Sequence, residues 1–180
     1  MFDLTTGQAI VIALRLLAPL LIPRFPFWGA VLAWTLDTTD VIIVEYLGPG
    51  GMGVYYHERD KLLDLYYLAI EAAVSWRQWP ERLPKLISIA LFCYRLVGVI
   101  LFEVTGIRWL LFIFPNLFEN WYLFVAGRDR FRPNYALTDP RRVFTWLFIL
   151  YLPKIPQEWL LHIHQAKPWG WFKTNILHKP

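Results

Sequence analysis

Residues 27–47 are apolar and numerous enough to cross a bilayer as one helix, yet their second half holds two aspartates, Asp37 and Asp40. Few folds accommodate that combination. An ionised Asp at the centre of a membrane helix costs about 2.5 to 3.5 kcal/mol, so both carboxylates must turn toward protein rather than lipid. A second pair, Asp60 and Asp64, lies at the head of the next apolar run, residues 62–76. Residues three or four apart share a helix face, so each pair presents two carboxylates in one direction. If the two segments are neighbours joined by the glycine-rich turn 48–53, all four carboxylates converge. Such a group must be protonated, paired with Lys or Arg, or neutralised by cations. Divalent metal is the reading that uses all four.

Composition supports a lipid setting. The 180 residues are 57% hydrophobic and only 18% charged, against about 25% charged in soluble domains. Apolar residues fall in blocks rather than one-sided stripes. The sequence therefore predicts an all-α integral membrane protein, a single domain over residues 1–180 forming a bundle of about six transmembrane helices. The blocks are 8–22, 27–47, 62–76, 86–104, 107–126 (broken by Pro115), and a last one from Pro140 through Pro153 and Pro156 toward His164. Asp139-Pro140 reads as a helix cap followed by proline at the first helical position. Many of the ten Trp and nine Tyr stand near block ends, suiting an interfacial belt.

Residues 1–6 carry no Lys or Arg, so the first block is expected to be retained rather than cleaved as a signal. One cysteine, Cys93, excludes a disulfide framework. Basic residues are dispersed at block edges, which fits membrane lipids as partners and argues against nucleic acid. With six spans, seven Lys or Arg fall on the N-terminal side and nine on the other, which leaves orientation open.

Tyr67 and Glu71 continue the face of α-helical spacing begun by Asp60 and Asp64, so a polar stripe runs into the membrane. Arg15 and Arg95 are embedded in apolar blocks and are read as partners for intramembrane carboxylates such as Glu71, Glu103 and Glu119. Weaker candidates for substrate contact are Arg15, Arg59, Lys61 and Arg95. His162 and His164 are two apart and would diverge on a helix, which suits interfacial side chains better than ligands. The 48–53 turn lacks the Lys-Ser/Thr ending of a phosphate-binding loop.

At the aspartates the chain resembles the CDP-alcohol phosphotransferase family, membrane enzymes of phospholipid synthesis built from six helices. The spacings Asp37-Thr-Thr-Asp40 and Asp60-Lys-Leu-Leu-Asp64 match that family's pattern, with a gap between the pairs one or two residues longer than usual. Leu14-Arg15-Leu-Leu-Ala-Pro19 looks like the family's opening segment, Arg95 lies where the family often has an intramembrane Arg, and the similarity covers residues 8–105. The resemblance implies two Mg2+ or Mn2+ ions held by Asp37, Asp40, Asp60 and Asp64, with Asp64 as catalytic base. It also implies a CDP-linked donor, transfer of a substituted phosphate to an acceptor alcohol, and a homodimer.

Four positions depart from the pattern: Val41 and Tyr56 replace glycines, Val44 an alanine and Glu45 an arginine. All four belong to the half of the motif that meets the nucleotide. Valine adds bulk where backbone must approach a ligand, and Glu45 reverses a charge beside a diphosphate. Two other readings stay open: a catalytically inactive relative serving as a structural or partner subunit, and a small membrane protein whose carboxylate stripe handles ions or protons.

Overall fold

Pro23, Pro26 and Pro115 break the chain where the sequence predicts, and the glycine-rich turn 48–53 lies outside the described residues. The computed structural model describes residues 5–47, 56–164, 168–172 and 174–175, with the side chains of 56–59, 168 and 172 outside that description. Among the described residues the secondary structure is all helical, without a strand.

Helix α1, Thr6–Leu17, starts on a capping box: Thr5 Oγ1 accepts from the Gln8 backbone N–H, and Gln8 Oε1 accepts from that of Thr5, both at 3.3 Å. It tightens into a 3-10 turn, Ala18–Leu21, at Pro19. Pro26 opens α2, Pro26–Leu47, which doubles back along α1. The return is close at Gly29, where an added Cβ would stand 2.7 Å from the backbone nitrogen of Ile22.

Helices α3, Tyr56–Gln78, and α4, Arg82–Thr105, follow, and α4 stops at Gly106 in the left-handed conformation (φ 70°). The predicted break at Pro115 separates a short α5, Trp109–Ile113, from α6, Leu117–Phe131. Asp139 caps α7, Pro140–Glu158, by accepting from the Arg141 N–H at 3.0 Å. Helix α7 continues through Pro153 and Pro156, and its last turn widens to π geometry at Trp159–Ile163. A short α8, Pro168–Phe172, lies near the C-terminus.

The core is built around α6. Phe118, Trp121, Tyr122 and Val125 are fully buried against Tyr67, Leu68 and Ala72 of α3, Ala30 and Ala33 of α2, and Val143 of α7. Large apolar side chains such as Leu17, Leu62, Ile100, Phe144 and Phe148 point outward. Among the described residues, three helical stretches are long and apolar enough to cross a membrane: α2, α4, and the α5–α6 pair over Trp109–Phe131.

Candidate functional site: a four-aspartate cluster around Arg15

Asp37 and Asp40 sit one turn apart on α2, as do Asp60 and Asp64 on α3. The two helices pack side by side near those turns, and α1 lies against both. Helical spacing therefore brings all four carboxylates to one place, and the Arg15 side chain of α1 enters between them. Its Nη1 donates to Asp40 Oδ2 and Asp60 Oδ1, and its Nη2 to Asp37 Oδ1 and Asp64 Oδ1. A guanidinium has four terminal N–H groups in a rigid plane, and each nitrogen here serves two carboxylates.

The cluster is graded from inside to outside. Arg15 and the Asp40 side chain are buried, Asp37 is one quarter exposed, and Asp60 and Asp64 are about one third exposed. Asp64 has the most open side chain of the four at 37%. Electrostatically the set is unbalanced, because one guanidinium compensates one of four carboxylates when all are ionised.

The chemistry of the donor set fits a hard cation. One oxygen from each of Asp37, Asp60 and Asp64 lies within 4.8 Å of the others, and oxygen is the ligand Mg2+ prefers. Asp40 stands apart from that set. Its Oδ2 is engaged by Arg15 at 2.5 Å, and its Oδ1 accepts from the Val41 N–H at 2.5 Å. Arg15 and a cation would therefore compete for the same oxygens, and a second ion would require Asp40 to turn away from Arg15.

Asp60 and Asp64 also line a cavity of about 330 Å³ between α3, α4, α5 and the π turn. Lys61, Arg95, Arg108, Asn116 and His162 supply its other polar lining, and Leu65, Leu68, Val99 and Phe102 are among its apolar walls. Of the weak substrate candidates, Lys61 and Arg95 thus share a cavity with two of the aspartates. Arg15 lies within the aspartate cluster, and the side chain of Arg59 lies outside the described residues, as does that of Tyr56.

The structure gives the other intramembrane charges different partners from those the sequence suggests. Arg95 Nη1 donates to the carbonyl oxygen of Phe114 at 2.9 Å. Pro115 breaks the helix there and leaves terminal carbonyls that need donors, so Arg95 caps α5. Glu103 pairs with Lys61 at 2.6 Å. Glu119 accepts from the Tyr67 hydroxyl and from Asn116 Nδ2, and lies 3.7 Å from Lys154 Nζ. Lys154 is equally far from Glu158, which also receives the Asn116 N–H and His162 Nε2, each at 2.9 Å. His164 stacks on Trp159.

Both carboxylate oxygens of Glu71 are buried without a hydrogen-bond partner. Sequence reasoning did not single out Lys154 or Glu158; their i,i+4 spacing with His162 on a Pro-containing helix was the available signal. Glu45, where the resembling family carries arginine, accepts from the Trp169 indole N–H at 2.6 Å.

No family model, curated protein or solved structure matches the chain. The reading of the site therefore rests on its own geometry.

Proposed function

We propose that this chain is an integral membrane phosphotransferase of about six helical spans, similar at its aspartate centre to the CDP-alcohol phosphotransferases. The observation that carries the reading is the convergence of four carboxylates from α2 and α3, two of which, Asp60 and Asp64, line a cavity that also holds Lys61 and Arg95. The six-span reading is supported by the inside-out distribution of polarity. On α3, Tyr67, Glu71 and Ser75 face the interior while Leu62 faces out. On α7, Lys154 and Glu158 are buried while Phe144 and Phe148 are exposed. Polar residues inside and apolar residues outside is what a lipid surround demands.

In this reading Asp37, Asp60 and Asp64 hold Mg2+ or Mn2+, with Asp40 joining them when it leaves Arg15. Such a cation, when bound, neutralises phosphate oxygens and stabilises charge on the leaving oxygen. The remaining work falls to the chain. Asp64 is the most open of the four carboxylates and faces the cavity, so it accepts the proton of an acceptor hydroxyl. Lys61 and Arg95, on the cavity wall, meet the anionic phosphate, and positioning by such groups supplies most of the acceleration in phosphoryl transfer. Arg15 offsets part of the negative charge and keeps Asp40 turned inward.

One observation favours a second reading. Because Arg15 reaches all four carboxylates, it can serve as their permanent counter-ion in a catalytically inactive structural subunit. Thermal unfolding of the purified protein with Mg2+ or Mn2+, before and after addition of CMP or CDP-diacylglycerol, separates the two. The phosphotransferase reading expects a metal-induced rise in Tm that Asp60→Asn and Asp64→Asn abolish. No metal response in the wild type would sink it in favour of the inactive subunit.

A further inference from the structure

The two ends of the bundle differ in charge. At one end the connections between helices meet: Gln78 Nε2 donates to the carbonyl of Pro23 at 2.9 Å, the Leu137 N–H donates to Glu81 at 2.8 Å, and Phe27 packs edge-on against Phe131. This end carries nine Lys or Arg: Arg24, three between residues 77 and 85, and five between 128 and 142. Its acids are few and engaged. Glu81 and Asp129 pair with Arg128, and Asp139 caps α7.

At the opposite end lie the four aspartates, Glu45 and Glu103. The basic residues there are largely used within the fold: Arg15 among the aspartates, Lys61 on Glu103, and Lys154 between Glu119 and Glu158. Setting aside Arg15, Arg95, Arg128 and Lys154, which are engaged within the fold, the described residues place eight basic positions at the first end against three, Arg59, Lys61 and Arg108, at the second. Three more, Lys167, Lys173 and Lys179, follow α7 in the sequence.

Basic short connections are retained on the cytoplasmic side, where anionic lipids also attract them. The aspartate end then faces away from the cytoplasm. The cavity's chemistry agrees. A nucleoside diphosphate brings several negative charges toward a site already rich in carboxylates. Of the cavity's cations, Lys61 also pairs with Glu103 and Arg95 also caps α5, so each has only part of its donor capacity left for a phosphate. A lipid phosphodiester brings one negative charge and an apolar body, which match Arg108 and the Leu65, Leu68, Val99 and Phe102 walls. Nucleotide-activated donors are made in the cytoplasm and, being charged, do not cross a bilayer unaided.

We propose that the cavity lined by Asp60 and Asp64 opens on the non-cytoplasmic face of its membrane and takes as donor a phosphodiester headgroup of the surrounding lipid. This rests on the phosphotransferase reading and names its donor. The acceptor hydroxyl oxygen bonds to phosphorus while the bond from phosphorus to the headgroup oxygen breaks. The hydroxyl proton passes to Asp64 and then to the departing headgroup oxygen. One phosphodiester replaces another, the acceptor alcohol is consumed, the headgroup alcohol is released, and nothing else is required.

Sidedness is read with single cysteines in the full chain after Cys93→Ser, because Cys93 is exposed. Asn134→Cys marks the basic end and Thr105→Cys the aspartate end, and both positions are exposed. A membrane-impermeant maleimide should label the first only in inverted vesicles and the second only in right-side-out vesicles. The donor is read by reconstituting the protein in phosphatidylglycerol vesicles with Mn2+ and radiolabelled glycerol. Label should enter the lipid without nucleotide and stay out with Asp64→Asn.

Reversed labelling, or labelling of both positions from both faces, overturns the sidedness. Incorporation that requires CDP-diacylglycerol, or none while Mn2+ still raises Tm, overturns the donor. Failure of Mn2+ to raise Tm is instead the failure of the phosphotransferase reading, and the labelling pattern is independent of it.

Discussion

Two buried clusters of charge lie within this bundle, and they are built differently. Around Lys154, the cation lies 3.7 Å from each of two glutamates, and Tyr67, Asn116 and His162 supply further donors to the same carboxylates. Lys154, Glu119 and Glu158 are all at most 5% exposed. Around Arg15, one cation faces four carboxylates, two of them about one third exposed and lining a cavity. The first cluster buries its three charges and meets the two carboxylates with hydrogen-bond donors besides Lys154, and only Asn116 and His162 at its edge reach the cavity, as suits a structural polar network. The second is undercompensated and open, which leaves it negative charge that a bound cation would offset. Density of charge does not separate structural from functional clusters here; balance and access do.

The sharpest way to break the contrast is to remove each cation in turn. Lys154→Met leaves two buried glutamates without their counter-ion, and loss of one partner from a buried ionic group costs about 3 to 5 kcal/mol. The expected outcome is a large drop in Tm that neither Mg2+ nor Mn2+ restores. Arg15→Gln should cost less, about 2 to 4 kcal/mol, because Asp60 and Asp64 reach water and solvent screens part of their repulsion. That loss should appear in chelator and be largely recovered by millimolar Mn2+, since the competitor for the aspartate oxygens is gone. Recovery of Lys154→Met by metal, or none of Arg15→Gln, would remove the distinction. The smallest effect is expected at Lys61→Met, which breaks a pair with the half-exposed Glu103. Its cost in denaturation should stay below about 1 kcal/mol, while turnover falls if Lys61 meets substrate.

The sequence carried the aspartate cluster because its information is local. Spacings of three and four residues set a face, and only the packing of two consecutive helices was needed to join the faces. The break at Pro115 and the Asp139 cap were legible for the same reason, each being decided within one helical turn. What spacing could not supply was the register between distant helices. Arg15 was readable as a partner for carboxylates, but its reach to all four depends on how α1 leans against α2 and α3. Arg95 pointed toward a carboxylate partner on charge alone. It goes instead to the Phe114 carbonyl, because the helix break creates acceptors that charge counting does not see. The Lys154 network joins α3, α6 and α7, so no single stretch of sequence contains it.

Gly29 has a bearing on how genetic screens of this chain would read. Its missing side chain faces the backbone of Ile22 rather than a movable side chain, so even alanine forces two chain segments apart. It lies on α2 three turns before Asp40, at the other end of the bundle from the carboxylates. A survey of random variants would score Gly29 as intolerant as any aspartate of the cluster, for reasons of fit alone. Abundance of each variant in the membrane, measured beside its phenotype, would tell a blocked fold from a blocked site.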